Sequence, residues 1–150
     1  MIIKAKILVT LQFGLIALLV LTPATNKLWE LDWARNAALT LYFIAILIFI
    51  FAAQALQPSL RINPIPRPGA PLITCGIYKY LRHPMYFAVM LVGTGLLIQK
   101  ADLISILVWI ALGINMSIKA RYEDKLLREK HIEAAAYQSK TPDILGERFE

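Results

Sequence analysis

The sequence predicts an all-α integral membrane protein with four transmembrane helices, the last two in a tight hairpin, followed by a cytoplasmic C-terminal helix. Two observations predict this class. Apolar residues make up 58% of the 150 residues, which exceeds the roughly 45–50% that is typical of soluble domains. The excess is gathered into four segments, and most positive charges lie between and after them. At this length, we expect a single membrane-embedded domain over residues 1–150.

The first two apolar segments predict the first two spans, at residues 7–22 and 36–55. The second is close to the roughly 20 residues that a crossing needs. The two lysines before the first segment, and the sequence TPA after it, also fit a cleaved signal peptide. We favour a span, because Pro23 lies inside the would-be cleavage motif.

The last two apolar segments predict spans at residues 84–99 and 103–118. Only the sequence QKAD separates the two apolar runs, so the segments must form a helical hairpin. The third segment is shorter than the roughly 20 residues of a usual crossing. Either Lys100 extends to the far interface, or the hairpin stops short of it.

The distribution of positive charge predicts the orientation. Thirteen of the sixteen Lys and Arg residues lie at the N-terminus, between the second and third spans, or after the fourth span. Because cytoplasmic segments carry the excess of Lys and Arg, we expect both termini in the cytoplasm, with a bacterial inner membrane as the location. Residues 57–83 then form a cytoplasmic strap, made irregular by five prolines between positions 58 and 71, and residues 119–150 form a cytoplasmic tail.

Composition also excludes several classes of function. The net charge is +6, but no basic helix or aromatic-interleaved patch accompanies it, so we expect no nucleic-acid partner. A single cysteine cannot form an internal disulfide. Two histidines and one cysteine, all far apart in the sequence, predict no metal site.

The sequence GIYKYLRHPMY, residues 76–86, is a polar and aromatic cluster directly before the third span. Its tyrosines and cations are typical of an interfacial anchor. Proline favours the first turn of a helix, so Pro84 should begin the third span, with Arg82 and His83 at its N-terminus. Unpaired N–H groups and two donor side chains there suit an anion such as a carboxylate. These residues alone leave the anchor and the anion site both open.

The charged sequence after the fourth span predicts a helix that leaves the membrane and carries two adjacent acids. At 100° per residue, Glu123 lies on the apolar side, where an unpaired carboxylate is costly. Lys119, one turn earlier, could pair with it, and so could a ligand cation. Asp124 is expected on the opposite, solvated face, paired with Arg128 four residues later.

These features together resemble the isoprenylcysteine carboxyl methyltransferase family, which shares its C-terminal pattern with the phospholipid N-methyltransferases. The resemblance covers about residues 72–142 and rests on the Arg-His-Pro-x-Tyr element at 82–86, two short spans, and the paired acids at 123–124. It implies an integral-membrane methyltransferase with S-adenosylmethionine as its cofactor. It also implies a cytoplasm-facing cofactor pocket and a lipophilic acceptor that arrives from the bilayer.

The resemblance further implies a role for individual residues. Lys119 stands where the isoprenylcysteine enzymes carry a substrate-side arginine, and we assign Lys119 and Arg121 to the substrate. Arg82 and Glu123 are the expected catalytic residues, since Arg82 could orient a carboxylate and Glu123 could serve an amine. The expected cofactor-binding residues are Leu72, Ile73, Tyr78, His83, Pro84, Met85, Tyr86 and Glu123.

Departures from the family pattern bear on the acceptor more than on the cofactor. Asp124 replaces a glutamate, His131 and Ile132 replace Phe-Gly, and a lysine at 119 is not equivalent to arginine for bidentate carboxylate recognition. We therefore expect methyl transfer to a lipophilic carboxylate and keep two alternatives. One is N-methylation of a phospholipid or another amine. The other is a non-catalytic membrane protein that retains the motif as an anchor.

Overall fold

The structure, a computed structural model, describes residues 2–24, 27–29, 32–56 and 71–148. These residues contain five α-helices and one short 3-10 helix and no strand, which confirms the all-α prediction for this part of the chain. The helices are α1 (Ile2–Leu21), α2 (Ala34–Ala55), α3 (Pro84–Lys100), α4 (Leu103–Lys130) and α5 (Ala134–Lys140), and the 3-10 helix is Gly76–Lys79.

Three of these helices, α1, α2 and α4, are long and apolar enough to cross a membrane. They carry many exposed large apolar side chains, including Phe43, Phe51 and Ile110, as expected for surfaces that face lipid. α3 has 17 residues, fewer than the roughly 20 of a usual crossing. Three of the predicted spans fall within helices, and the first, at 7–22, extends one residue beyond the end of α1. α4 continues without a break from the apolar segment into the charged tail.

The predicted hairpin between α3 and α4 is present. α3 ends at Lys100 and is followed by Ala101, whose φ of 55° is in the left-handed region that turns the chain after a helix. Asp102 then caps α4, because its Oδ1 accepts a hydrogen bond from the Ser105 N–H at 2.7 Å. A two-residue turn of this kind leaves α3 and α4 antiparallel and in contact.

Lys100, whose position the sequence left open, ties this hairpin to the end of α1. Its Nζ donates to the carbonyl oxygens of Thr22 and, at 3.3 Å, of Val20. The last carbonyls of a helix have no partner within the helix, so a lysine placed there satisfies them. The hairpin therefore ends within one side chain's length of the α1 C-terminus.

α3 lies at the centre of the bundle. α2 packs mainly against α3, whereas α1 packs mainly against α4. Gly95 permits the close contact between α2 and α3, because a β-carbon at this position would overlap the ring of Tyr42. The predicted strap is described only from residue 71 onward, and its residues 57–70 lie outside the described residues.

Candidate active site

The site begins where the chain enters α3. Pro84 is the first residue of the helix, as predicted, and His83 precedes it in a non-helical conformation. Proline suits this position because its missing N–H would have no partner in the first turn anyway. The Arg82 N–H donates to the Pro142 carbonyl at 3.0 Å, so the C-terminal segment fixes the approach to the helix.

Asp124 is the centre of a buried ion-pair network. Its carboxylate lies 2.8 Å from Arg82 Nη1 and 3.0 Å from His83 Nε2. Gln138 Nε2, on α5, donates to the Asp124 carbonyl at 3.0 Å. Only 1% of Asp124 is exposed, so the prediction that this residue lies on a solvated face was wrong. Helical phase alone could not reveal that the α3 entry and α5 both cover this face of α4.

Glu123 lies next to this network but is less enclosed, with 28% of its side chain exposed. Its Oε2 accepts a hydrogen bond of 2.6 Å from the Tyr86 hydroxyl and lies 3.6 Å from His83 Nδ1. Tyr86 and His83 are therefore its partners within the protein, whereas the sequence left Lys119 or a ligand cation open. The remaining carboxylate oxygen can still accept a hydrogen bond from a ligand.

His83 lies between the two acids, with one ring nitrogen toward each. Burial alone would lower its pKa, but the hydrogen bonds to Asp124 and Glu123 outweigh burial and raise the pKa of His83 to about 9. The ring is therefore protonated at neutral pH, and both N–H groups point at carboxylates. It also stacks on Tyr86 with the rings 5.3 Å apart and nearly parallel. In this arrangement His83 orients Glu123 and Tyr86.

Lys119 is a further buried cation of the site, with 1% exposure. Its Nζ donates to Oε1 of Gln12, on α1, at 2.6 Å and lies 4.7 Å from the centre of the Tyr86 ring. That distance is within the range of a cation–π contact. The sequence assigned no role to Gln12, although it is one of the few polar residues in the first apolar segment.

Tyr78 and the tail residue Tyr137 form a further contact of the site. The Tyr137 hydroxyl donates to the Tyr78 carbonyl at 2.5 Å, which joins α5 to the 3-10 helix. Burial is the main cause that raises the pKa of both tyrosines above the ordinary value, so both stay neutral hydroxyls. Leu72 and Ile73 lie half-buried in the segment before the 3-10 helix.

The C-terminal segment holds Arg82 in place. Arg82 Nη2 donates to the Glu147 carbonyl at 2.8 Å and lies 4.0 Å from the Asp143 carboxylate. The Glu147 carboxylate pairs with Arg121 on the surface, where both side chains are mostly exposed. The structure thus gathers Arg82, His83 and Tyr86 with the two acids, while Arg121 lies at the rim. Short-range sequence patterns carried no signal for the tail contacts.

An apolar cavity of about 250 Å³ lies beside this polar site. Since α2 packs mainly on α3 and α1 mainly on α4, a cleft remains between α1 and α2, with α3 as its floor. The first α3 residues that line the cavity are Ala88 and Val89, and Val89 lies about one turn after Tyr86 on the same face of the helix. Other residues that line it are Ile16, Leu19, Phe49, Val92 and Leu112.

Two further features concern metal ligands and the cysteine in the part of the chain that the structure describes. No group of three or more His, Cys, Asp or Glu side chains there could hold a metal ion. Cys75 is an exposed free thiol.

Comparison with known families gives one match. The sequence model of the isoprenylcysteine carboxyl methyltransferase family matches residues 37–129, which is more than half of the chain. The match includes most of α2, all of α3, nearly all of α4 and the site residues that these helices and the entry to α3 carry. Neither the curated proteins nor the solved structures gave a match.

Proposed function

We propose, from the premise that this chain belongs to the isoprenylcysteine carboxyl methyltransferase family, that it methylates the carboxylate of a lipophilic acceptor with S-adenosylmethionine. The family itself indicates a methyltransferase, and the three apolar helices of spanning length fit a membrane protein. One observation carries the finer proposal. A buried cation, Lys119, and a partly exposed acid, Glu123, meet at Tyr86, next to an apolar cavity.

The residues of the site fit the proposed cofactor. S-adenosylmethionine would supply an electrophilic methyl group on a sulfonium, and its amino-acid end carries an ammonium and a carboxylate. Glu123 has one oxygen engaged by Tyr86, so its other oxygen can accept a hydrogen bond from that ammonium. Tyr78 offers an aromatic face near Glu123 for the adenine or the sulfonium. We retain Leu72, Ile73, Pro84 and Met85 as the apolar surroundings of the cofactor.

The role that we propose for His83 and Arg82 is to hold this arrangement in place. His83 is engaged by both acids, and Arg82 by Asp124 and the tail, so both contribute fixed charge and geometry. In-line methyl transfer depends mainly on positioning, to which such a rigid frame contributes. A direct catalytic role of Arg82 stays a prediction.

The proposed acceptor is an amphiphile with its carboxylate on Lys119 and its chain in the cavity. On α1, Ile16 lies one turn beyond Gln12, the residue that holds the Lys119 ammonium. On α4, Leu112 lies about two turns from Lys119 on the same side. The cavity volume would take about ten carbon atoms, scaled from a 150 Å³ cavity that holds benzene. A carboxylate is ionised at neutral pH, so it needs no general base.

We also propose a domain organisation and an orientation in the membrane for this chain. We propose one domain over residues 1–150 with four spans, α3 being the third, and both termini in the cytoplasm of a bacterial cell. The site at the start of α3 then faces the cytoplasm, where the cofactor is made. Arg121, at the exposed rim, is positioned to meet an acceptor head group.

Methyl transfer by the purified protein tests the proposal. The wild type in detergent, given labelled S-adenosylmethionine, should methylate an N-acetyl-S-prenylcysteine and leave phosphatidylethanolamine unlabelled. The label should be released by base, because methyl esters hydrolyse and N-methyl amines do not. Base-stable label in phosphatidylethanolamine would instead indicate the amine reaction.

Cofactor binding separates an enzyme from a non-catalytic membrane protein. Calorimetry should detect S-adenosylmethionine binding to the wild type and a loss of about tenfold or more in Glu123→Gln, because a charge-assisted hydrogen bond is removed. Glu129→Gln, at an exposed position on the same helix, is the matched control and should bind as the wild type does. No binding by the wild type would contradict the enzymatic proposal.

A further inference from the structure

We infer that Gln12 on α1 positions the Lys119 ammonium and thereby makes the acceptor site selective for anions. The inference rests on the proposed function and extends it to a helix that the family comparison does not cover. The family match begins at residue 37, within α2, so α1 lies outside it.

Gln12 is the buried polar side chain on the face of α1 that packs against α4. It is 7% exposed, whereas Thr10 and the two α1 lysines are exposed. Its position is about 15 Å along the helix from Ile2, at 1.5 Å per residue. The Lys119 ammonium is therefore held inside the bundle, away from the end of α1.

The partners of Lys119 hold its ammonium without cancelling its charge. Gln12 offers a neutral amide oxygen at 2.6 Å, and Tyr86 offers the face of its ring. Among the described residues, no carboxylate lies within the 4.0 Å of an ion pair with this ammonium. Glu123 acts on it only from a greater distance, and its carboxylate is bonded to Tyr86.

A buried charge with neutral partners is costly for a protein to keep. Ionisable residues inside membrane bundles are accordingly rare and mark sites of function. A carboxylate bound beside Lys119 would neutralise the charge, whereas an ammonium there would add a second positive charge. Because the Gln12 amide is neutral, the charge of Lys119 remains available to an anionic ligand. A glutamate at position 12 would neutralise that charge with an internal ion pair.

Gln12→Glu tests the inference because it changes the charge at position 12 and little else. The probes are a labelled N-acetyl-S-prenylcysteine and a prenylated primary amine with the same chain. For the acid, we expect Kd and KM to rise about tenfold or more. S-adenosylmethionine affinity should change less than about twofold, because Gln12 is bonded to Lys119, which we assign to the acceptor and not to the cofactor. The amine should bind more tightly to the variant than to the wild type.

Two further variants separate positioning from simple packing. Gln12→Leu removes the hydrogen bond but adds no charge, so it should weaken acid binding by a smaller factor and give no gain for the amine. Thr10→Ala, exposed on the same helix, is the control and should match the wild type with both probes. A packing defect would weaken both probes alike, so only a charge effect moves them in opposite directions.

The results distinguish this inference from the proposed function. A wild type that methylates the acid, with an unchanged KM in Gln12→Glu, would overturn the inference and leave the function standing. Equal weakening of acid and amine by Gln12→Glu would also overturn it. A wild type that neither binds nor methylates the acid would overturn both.

Discussion

Arg82 and Lys119 are both buried cations of the same site, and their surroundings differ in kind. Arg82 contacts the Asp124 carboxylate, two backbone groups of the tail and, at a longer distance, Asp143. Lys119 contacts an amide oxygen and an aromatic ring. The first cation is neutralised inside the protein and stabilises the fold, whereas the second keeps its charge at a cost in stability. On this difference we base the proposal that Arg82 is a structural clamp and Lys119 a binding group.

Removal of the Asp124 charge should give the largest effect on stability. Asp124→Asn leaves Arg82 and protonated His83 buried beside a neutral amide, so we expect the free energy of unfolding to fall by about 3–5 kcal/mol. Denaturant unfolding in detergent measures it, with Glu129→Gln as the control for loss of an exposed acid on the same helix. Near-equal stability of the two variants would contradict a structural clamp.

The clamp should also weaken at high pH. The pKa of His83 is about 9 in the folded protein and 6.5 ordinarily, so its protonated form stabilises the fold fully below pH 6.5. This contribution, about 3 kcal/mol at 1.4 kcal/mol per pKa unit, is lost as the pH rises through about 9. The unfolding midpoint between pH 6 and 10 should fall for the wild type and stay flatter for His83→Gln.

Replacement of Lys119 should reduce methylation strongly and change stability little. Lys119→Met keeps most of the side-chain volume and removes the charge, so stability should stay within about 1 kcal/mol of the wild type or rise. Methylation of N-acetyl-S-prenylcysteine should fall by about 100-fold in kcat/KM, a loss of about 2.7 kcal/mol in transition-state stabilisation. A large loss of stability with normal acceptor binding would reverse the roles assigned to the two cations.

Local patterns predicted the helices and the start of the site well. The four apolar segments fall within helices, Pro84 begins α3, and the polar linker QKAD forms the predicted hairpin. These features depend on residues close together in the sequence, such as a proline in a first turn or an N-cap aspartate. The residues around Tyr86 and the paired acids were likewise predicted to meet, from their resemblance to a known family.

The partners within the site could not be predicted in the same way. The positions of Glu123 and Asp124 were assigned from helical phase, which does not say which segments will cover each face. Gln12 and Lys119 meet across 107 positions of sequence, and the Arg82 contacts with residues 142–147 depend on how the tail folds back. Such contacts follow from tertiary packing, which short-range sequence patterns do not predict.

The tail contacts of Arg82 also set the order in which the site can form during synthesis. Arg82 precedes Glu147, whose carbonyl it contacts, by 65 residues, and at about 5–20 residues per second this gap lasts several seconds. During that time the backbone partners of Arg82 in the tail do not yet exist. The clamp can therefore close only after α4 and the tail have been made, which places it among the last parts of the site to form.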